Sequence, residues 1–259
     1  MALPTTFFGW VGFIISEYSE LLIGGLLSTL EIALLGTVIG FLIGLLVAIL
    51  RTIPIEEGDS VVKKTLLRIL RGILNIYIEV FRGTPMMVQA MVIYYGSLQV
   101  LGIDMSPGFA GILIVSINTG AYMAEIIRGG IISIDAGQKE AAYSIGMTHW
   151  QSMVHVILPQ AIRNILPSVG NELIVNIKDS SVLNVIGVSE LYFMAKSAAG
   201  TYLKYFETYF IIAVIYLILT YATSRLLALI ERRMDGPANY VIHGSQSSSK
   251  AAIVVKGGE

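Results

Sequence analysis

The chain has no cysteine, which excludes disulfides and thiolate metal sites. Charge is scarce: Asp, Glu, Lys and Arg make up 14% of 259 residues, and the formal net charge is −1. A balance so close to neutral gives no support to a nucleic-acid partner. There are only three histidines, His149, His155 and His243, and none stands in a metal-ligand pattern inside an apolar stretch. No G-x-x-x-x-G-K-[ST] string occurs, so the chain carries no phosphate-binding loop of its own. No serine, histidine or metal constellation points to hydrolysis, and no catalytic residue is assigned. What remains is apolar. Hydrophobic residues are 55% of the chain, outside the soluble globular range, and this identifies a membrane protein.

A helix needs roughly 20 apolar residues to cross the hydrocarbon. Five stretches are expected to do so: 21–50, closed by Arg51; 86–101, after a less apolar approach helix at 61–81; 109–127; 162–186; and 205–230, stopped by Arg232 and Arg233. The expected fold is all-α and polytopic, with five transmembrane helices. Gly36, Gly40 and Gly44 recur every four residues in the first span, which lets another helix approach closely, by preference one of the same subunit. The N-terminus has no basic n-region, and Glu17 and Glu20 follow its short apolar run, so it does not read as a signal peptide. Residues 1–20 are instead expected to hold an interfacial amphipathic helix. A transmembrane domain over 21–235 and a flexible Ser/Gly-rich tail over 236–259 follow.

Basic residues set the sides. Segments 51–71, 128–163 and 225–259 hold 5, 3 and 5 Lys/Arg, against 0, 0 and 2 in 1–20, 102–107 and 187–206. This puts the N-terminus outside, the C-terminus in the cytoplasm and the 135–159 segment on the cytoplasmic side.

That segment, DAGQKEAAYSIGMTHWQSMVHVILP, reads as a folded part rather than a tether. Asp135 is a helix N-cap with Gln138 three residues on, Gly146 is a helix end, and Thr148 with Gln151 is a capping box. Pro159 permits a new helix to begin. The expectation is a knob of two short helices about a glycine hinge.

Charges inside a membrane cost a few kcal/mol each and usually face a partner or a wet cavity. Glu79 and Arg82 sit three apart, just before Gly83-Thr84-Pro85, where the proline breaks the helix and frees backbone groups. Asn118, Tyr122 and Glu125 share one helical face, with Arg128 following. Ser168, Glu172, Asn176 and Asp179 share another, with Lys178 beside it and Ser180 and Ser181 extending the polar run. Either the three faces meet around a water-filled path for a small polar solute, or Glu79–Arg82 and Glu125–Arg128 are intrahelical pairs that only offset each other's desolvation. No acid–histidine chain within the spans suggests a proton relay.

The pattern Glu140-Ala141-Ala142, Gly146, Val156-x-Leu158-Pro159 resembles the coupling motif of permease subunits in bacterial ABC importers, differing only at Val156, where that family usually has isoleucine. Within that superfamily the strings EVFRGTP at 79–85 with Gln89, AYMAEIIRGG at 121–130 and KDSS at 178–181 resemble the polar amino-acid branch. The resemblance implies a permease in the bacterial cytoplasmic membrane, working as a dimer with a second permease subunit, an ABC ATPase dimer and an extracellular or periplasmic amino-acid-binding protein. It implies that ATP and magnesium sit on the ATPase and that this chain holds no cofactor or metal and is not itself an enzyme. It assigns ATPase coupling to Glu140, Ala141, Ala142, Gly146, Met147, Leu158 and Pro159. It assigns solute contacts to Glu79, Arg82, Gly83, Thr84, Gln89, Asn118, Tyr122, Glu125, Lys178, Asp179, Ser180 and Ser181. The carboxylates Glu79, Glu125 and Asp179 lean the reading slightly toward a cationic amino acid. Two rivals are an ion-gradient-driven carrier, which should show an inverted repeat that the halves lack, and a membrane docking or scaffold protein.

Overall fold

Long apolar runs between capping residues produce long helices. The computed structural model describes residues 3–234, 241–243 and 252–254. Helix α1 (Phe7–Glu17) is capped by the Thr6 hydroxyl and lies where an interfacial helix is expected. Helix α2 (Ser19–Thr52) is followed by α3 (Val61–Gly83), capped by Ser60, then α4 (Met86–Leu101), which ends on the left-handed Gly102. Helix α5 (Pro107–Ile132) starts with a Ser106 cap and proline in its first turn. Helices α6 (Ala136–Ser144) and α7 (His149–Ser152) lead through a π turn (Met153–Ile157) into α8 (Leu158–Asp179). A 3-10 segment (Ser180–Ile186), α9 (Leu191–Tyr202) and α10 (Tyr205–Met234) complete the bundle.

Three of these helices, α2, α5 and the Tyr205–Glu231 part of α10, are long and apolar enough to cross a membrane. Helix α4 is apolar but has 16 residues, about 24 Å at 1.5 Å per residue, short of the roughly 30 Å hydrocarbon core. Helix α8 is long enough but carries Arg163, Glu172, Lys178 and Asp179. The expected span at 162–186 is therefore corrected: its helix begins earlier, at Leu158, and tightens to 3-10 winding at Ser180. Residues 187–206, to which the sequence reading assigns no element, hold α9. Its cap is the buried Glu190, whose carboxylate accepts from the Tyr192 and Phe193 amides at 2.8 and 2.7 Å and from the Tyr216 hydroxyl at 3.2 Å. The transmembrane domain is all-α as expected, and a short antiparallel pairing, β1 (Val241–His243) with β2 (Ala252–Val254), lies beyond it in the tail. The rest of the 236–259 tail lies outside the described residues.

Helix α5 is the centre, packed by α2, α3, α4 and α8. Its contact with α2 is close because the glycines face it. A Cβ at Gly40 would fall 2.7 Å from the Thr119 Cβ, and one at Gly44 would fall 2.8 Å from the Ala124 nitrogen. The glycines thus serve packing within the subunit. Asn176 of α8, 3% exposed, knots the same three helices: its amide donates to Thr37 of α2 at 2.8 Å and Thr119 of α5 at 3.0 Å. Apolar side chains on the outer faces of α2, α3, α4 and α10 stay exposed, as a lipid-facing surface requires.

Overpacking a close contact costs about 1–3 kcal/mol. Gly44→Leu should lower the thermal midpoint of the detergent-purified protein clearly. Gly24→Leu, on the same helix with no neighbour within 4 Å, should leave it near wild type. Equal midpoints for the two variants would contradict the packing role.

Candidate functional site

The chain break between α3 and α4 organises the site. Pro85 has no N–H, so the carbonyl four residues earlier, Phe81, loses its helical donor. Side chains replace it. Gln89 Nε2 donates to the Phe81 and Thr84 carbonyls, both at 2.9 Å, and contacts the Thr84 hydroxyl at 2.8 Å. Asn118 Nδ2, from α5, donates to Phe81 O at 3.2 Å and to Gln89 Oε1 at 2.9 Å. The Thr84 hydroxyl turns back to Val80 O at 2.7 Å. Gln89, Asn118 and Thr84 therefore spend polar groups on the backbone break, while Gly83 is open to space.

The last turns of α3 face a cavity of about 270 Å³, lined by Arg51, Asn75, Ile78, Glu79, Arg82 and Glu125. Ligand pockets run upward from roughly 300 Å³, so this volume suits a small solute. Among the described residues Glu79 and Arg82 make no ion pair with each other or with any neighbour. Arg82 instead sits 5.4 Å from the centroid of the Tyr122 ring, within cation–π range. The Tyr77 hydroxyl donates to Ile117 O at 2.7 Å and pins α3 to α5 beside them. Glu125 behaves differently. It pairs with Arg128 one turn on, at 2.8 and 3.1 Å, and also with Arg51 from the end of α2. Of the two suspected intrahelical pairs, one exists and the other does not.

The α8 residues are dispersed. Asn176 is in the three-helix knot, and Ser180 is fully buried, donating to Ile177 O at 2.9 Å. Lys178 and Ser181 border a separate space of about 350 Å³ with Tyr192, Tyr209 and Tyr216. Asp179 is exposed, and Glu172 is half-buried, close enough to Arg82 and Asp179 to feel their charges. The α3 and α5 faces thus meet, and the far end of the α8 face turns elsewhere. Sequence reading missed Arg51, taken only as the end of a span, and Asn75. Asn75, Glu79 and Arg82 stand at i, i+4 and i+7, a spacing that would have placed Asn75 on the same face.

The 135–159 segment is a folded knob. Asp135 caps α6 by accepting from Gly137 N at 2.7 Å. Gln138 does not complete a box and lies by the Gln160 amide instead, at 3.5 Å. At its other end Gly146 has φ +83, with Met147 N bonded to Ala142 O and Gly146 N to Tyr143 O, the paired closure of a Schellman turn. Thr148 and Gln151 form the expected capping box. The chain then winds helically into α8 through the π turn, just ahead of Pro159, whose missing N–H and bulky ring disfavour regular bonding there. Glu140, Ala141, Gly146 and Pro159 are exposed, Met147 and Leu158 are half-buried, and Ala142 is buried. Ile145 and Trp150 present apolar side chains outward, 75% and 60% exposed. His149 is bonded to the Tyr143 hydroxyl at 3.1 Å; burial, and then the Lys139 charge, push its pKa below the ordinary 6.5, against a smaller opposite effect of Glu56.

Residues 64–236 match the family model of the binding-protein-dependent transport system inner membrane component. The chain is 40% identical over 217 residues to the glutamine transport system permease protein GlnP of Escherichia coli K12, covering 83% of this chain and 93% of that one. It is 35% identical over 210 residues to the arginine transport system permease protein ArtQ of Bacillus subtilis, covering 81% and 90%. Among solved structures, an amino acid ABC transporter crystallised with histidines superposes with a TM-score of 0.75 at 41% identity, covering 89% of this chain and 99% of that one. The inward-facing MetNI methionine ABC transporter superposes at 0.69 with 22% identity, covering 84% and 97%, which speaks for the fold alone.

Two outcomes test this geometry. Gln89→Leu leaves the Phe81 and Thr84 carbonyls short of donors, at a cost of about 1–3 kcal/mol; a thermal midpoint equal to wild type would refute the backbone role. His149 should titrate below 6.5 by NMR and move upward in Lys139→Gln. Because its folded pKa is depressed, the stability it carries is complete above pH 6.5 and is lost as pH falls, when the unfolded chain takes up a proton that the folded knob resists.

Proposed function

The chain belongs to the family of binding-protein-dependent transport system inner membrane components and is a permease of a polar amino-acid ABC transporter; from that premise we propose that it carries its solute through the cavity between α3 and α5, driven by an ATPase that grips the 135–159 knob. The observation that carries this reading is the state of Glu79 and Arg82: two opposite charges, without an ion-pair partner among the described residues, on one wall of a cavity sized for a small solute. An amino acid is itself a pair of opposite charges. Arg82 takes the carboxylate and Glu79 the ammonium through charge-assisted hydrogen bonds, while Asn75 offers an amide to the side chain.

Five crossings fit this reading, with α4 and α8 completing the set of α2, α5 and α10. Short or polar helices are tolerated where they are buried in protein or line water. The excess of Lys/Arg on one side then puts the knob and the C-terminus in the cytoplasm. In this family ATP hydrolysis belongs to a separate ATPase subunit. Accordingly ATP and magnesium bind there, and the solute arrives from a binding protein outside. A second permease subunit, the same chain or a homologue, completes the pathway. The exposed Ile145 and Trp150 flank the rigid Gly146 turn and supply the apolar contact through which ATP-driven closure is transmitted. The slight lean toward a cationic solute loses its footing at Glu125, whose charge two arginines already answer.

Two measurements on the reconstituted transporter test the reading. Losing one charge-assisted hydrogen bond costs about 1.5–3 kcal/mol, so Arg82→Gln should weaken uptake about tenfold or more at low solute concentration. Unchanged uptake kinetics would remove Arg82 from the path. Gly146→Asp puts a side chain on a left-handed backbone and a charge among apolar contacts, so ATP hydrolysis should persist while uptake falls. Uptake at the wild-type level would count against the knob.

A further inference from the structure

Arg51, one of the two arginines that answer Glu125, also reaches the solute cavity. It lies in the last turn of α2, one turn beyond the Gly44–Ala48 stretch that packs against α5. The glycine contact fixes where its backbone starts, and its side chain is only 19% exposed. There it pairs with Glu125 Oε1, while Arg128 takes Glu125 Oε2. Both carboxylate oxygens are occupied.

We propose that Arg51 is a specificity-determining residue: it silences Glu125, so that the cavity rejects amino acids with cationic side chains and passes those with an uncharged polar one. This rests on the cavity being the solute site. Three guanidiniums, from Arg51, Arg82 and Arg128, stand around two carboxylates, Glu79 and Glu125. Once Glu79 holds the solute ammonium, no acidic group on this wall remains for a second positive charge. A guanidinium or ammonium side chain would have to displace Arg51 or Arg128 from Glu125, breaking a partly buried pair and leaving an arginine unanswered. An amide side chain meets no such opposition and finds Asn75. Sequence alone counts Glu125 as an attraction for cations; the contact from α2, 74 residues away, reverses that count.

The test is direct binding to the assembled permease–ATPase complex in nanodiscs, without the binding protein, whose own selectivity would mask the cavity's. Equilibrium dialysis with radiolabelled glutamine and arginine gives the ratio of the two affinities. In Arg51→Gln that ratio should shift toward arginine by about tenfold, the scale of one exposed charge pair in a cavity. Arg51→Lys keeps the charge and should keep the wild-type ratio. Arg128→Gln, which leaves the α2–α5 contact untouched, should shift the ratio in the same direction and serves if Arg51→Gln fails to assemble. If both amino acids bind and neither glutamine variant moves the ratio, the role of Arg51 is overturned and the permease reading stands. If wild type binds neither, the cavity is not the solute site, and both fall together.

Discussion

Everything at the site follows from one backbone carbonyl. Pro85 deprives Phe81 O of its helical donor, and leaving a partly buried acceptor unmet is costly. Gln89 from the next helix and Asn118 from α5 meet it. That repair joins three helices at one point: the end of α3, the start of α4 and the middle of α5. It also fixes the last two turns of α3, and with them Asn75, Glu79 and Arg82, against the α5 face that carries Tyr122 and Glu125. The broken helix is thus what opens a cavity while holding its walls in register.

A second, stiffer unit backs this wall. The glycine face of α2 brings it so close to α5 that the two can only move together, and Asn176 adds α8 to the pair. Helix α5 runs on into the knob, and α8 runs out of it. On the proposed reading, force applied at Gly146 reaches α5 and α8 directly, and α2 through its close contact with α5. Helix α3 meets that body through the Tyr77 hydroxyl, the repaired break and an apolar cluster in which Leu74 and Ile78 pack against Val47 of α2 and Ala124 of α5. The cavity lies along that seam. A knob closed by a Schellman turn and a capping box transmits displacement better than a loop, because its backbone donors and acceptors are already paired.

The sequence made most of the helices legible. The expected 86–101 stretch coincides with helix α4, and three of the other four fall within a few residues of α2, α5 and α10, because long apolar runs bounded by Ser, Pro and Gly leave few alternatives. Gly146 and the Thr148–Gln151 box were legible for the same reason: their chemistry is local. The failures were non-local. Helix α9 was missed because its cap is a glutamate held by a tyrosine of α10. Asn176 looked like a member of a solvated face, but its partners Thr37 and Thr119 on other helices bury it, and Ser180 is buried as well, its hydroxyl bonding only to Ile177 O in the preceding turn. Glu79–Arg82 and Glu125–Arg128 are equivalent in spacing, yet only the second closes as an ion pair: Arg82 turns to the Tyr122 ring, while Glu125 holds Arg128 and, from another helix, Arg51.

The absence of cysteine makes the central claim directly measurable. A single thiol introduced by Asn75→Cys should react with a small charged thiol reagent from water, since it lies on the cavity wall. Polar amino acid should slow that reaction, and ATP binding by the partner subunit should change its rate. A thiol at this position that stays unreactive, or that reacts at one rate with or without solute in a transporter that still imports, would contradict the account.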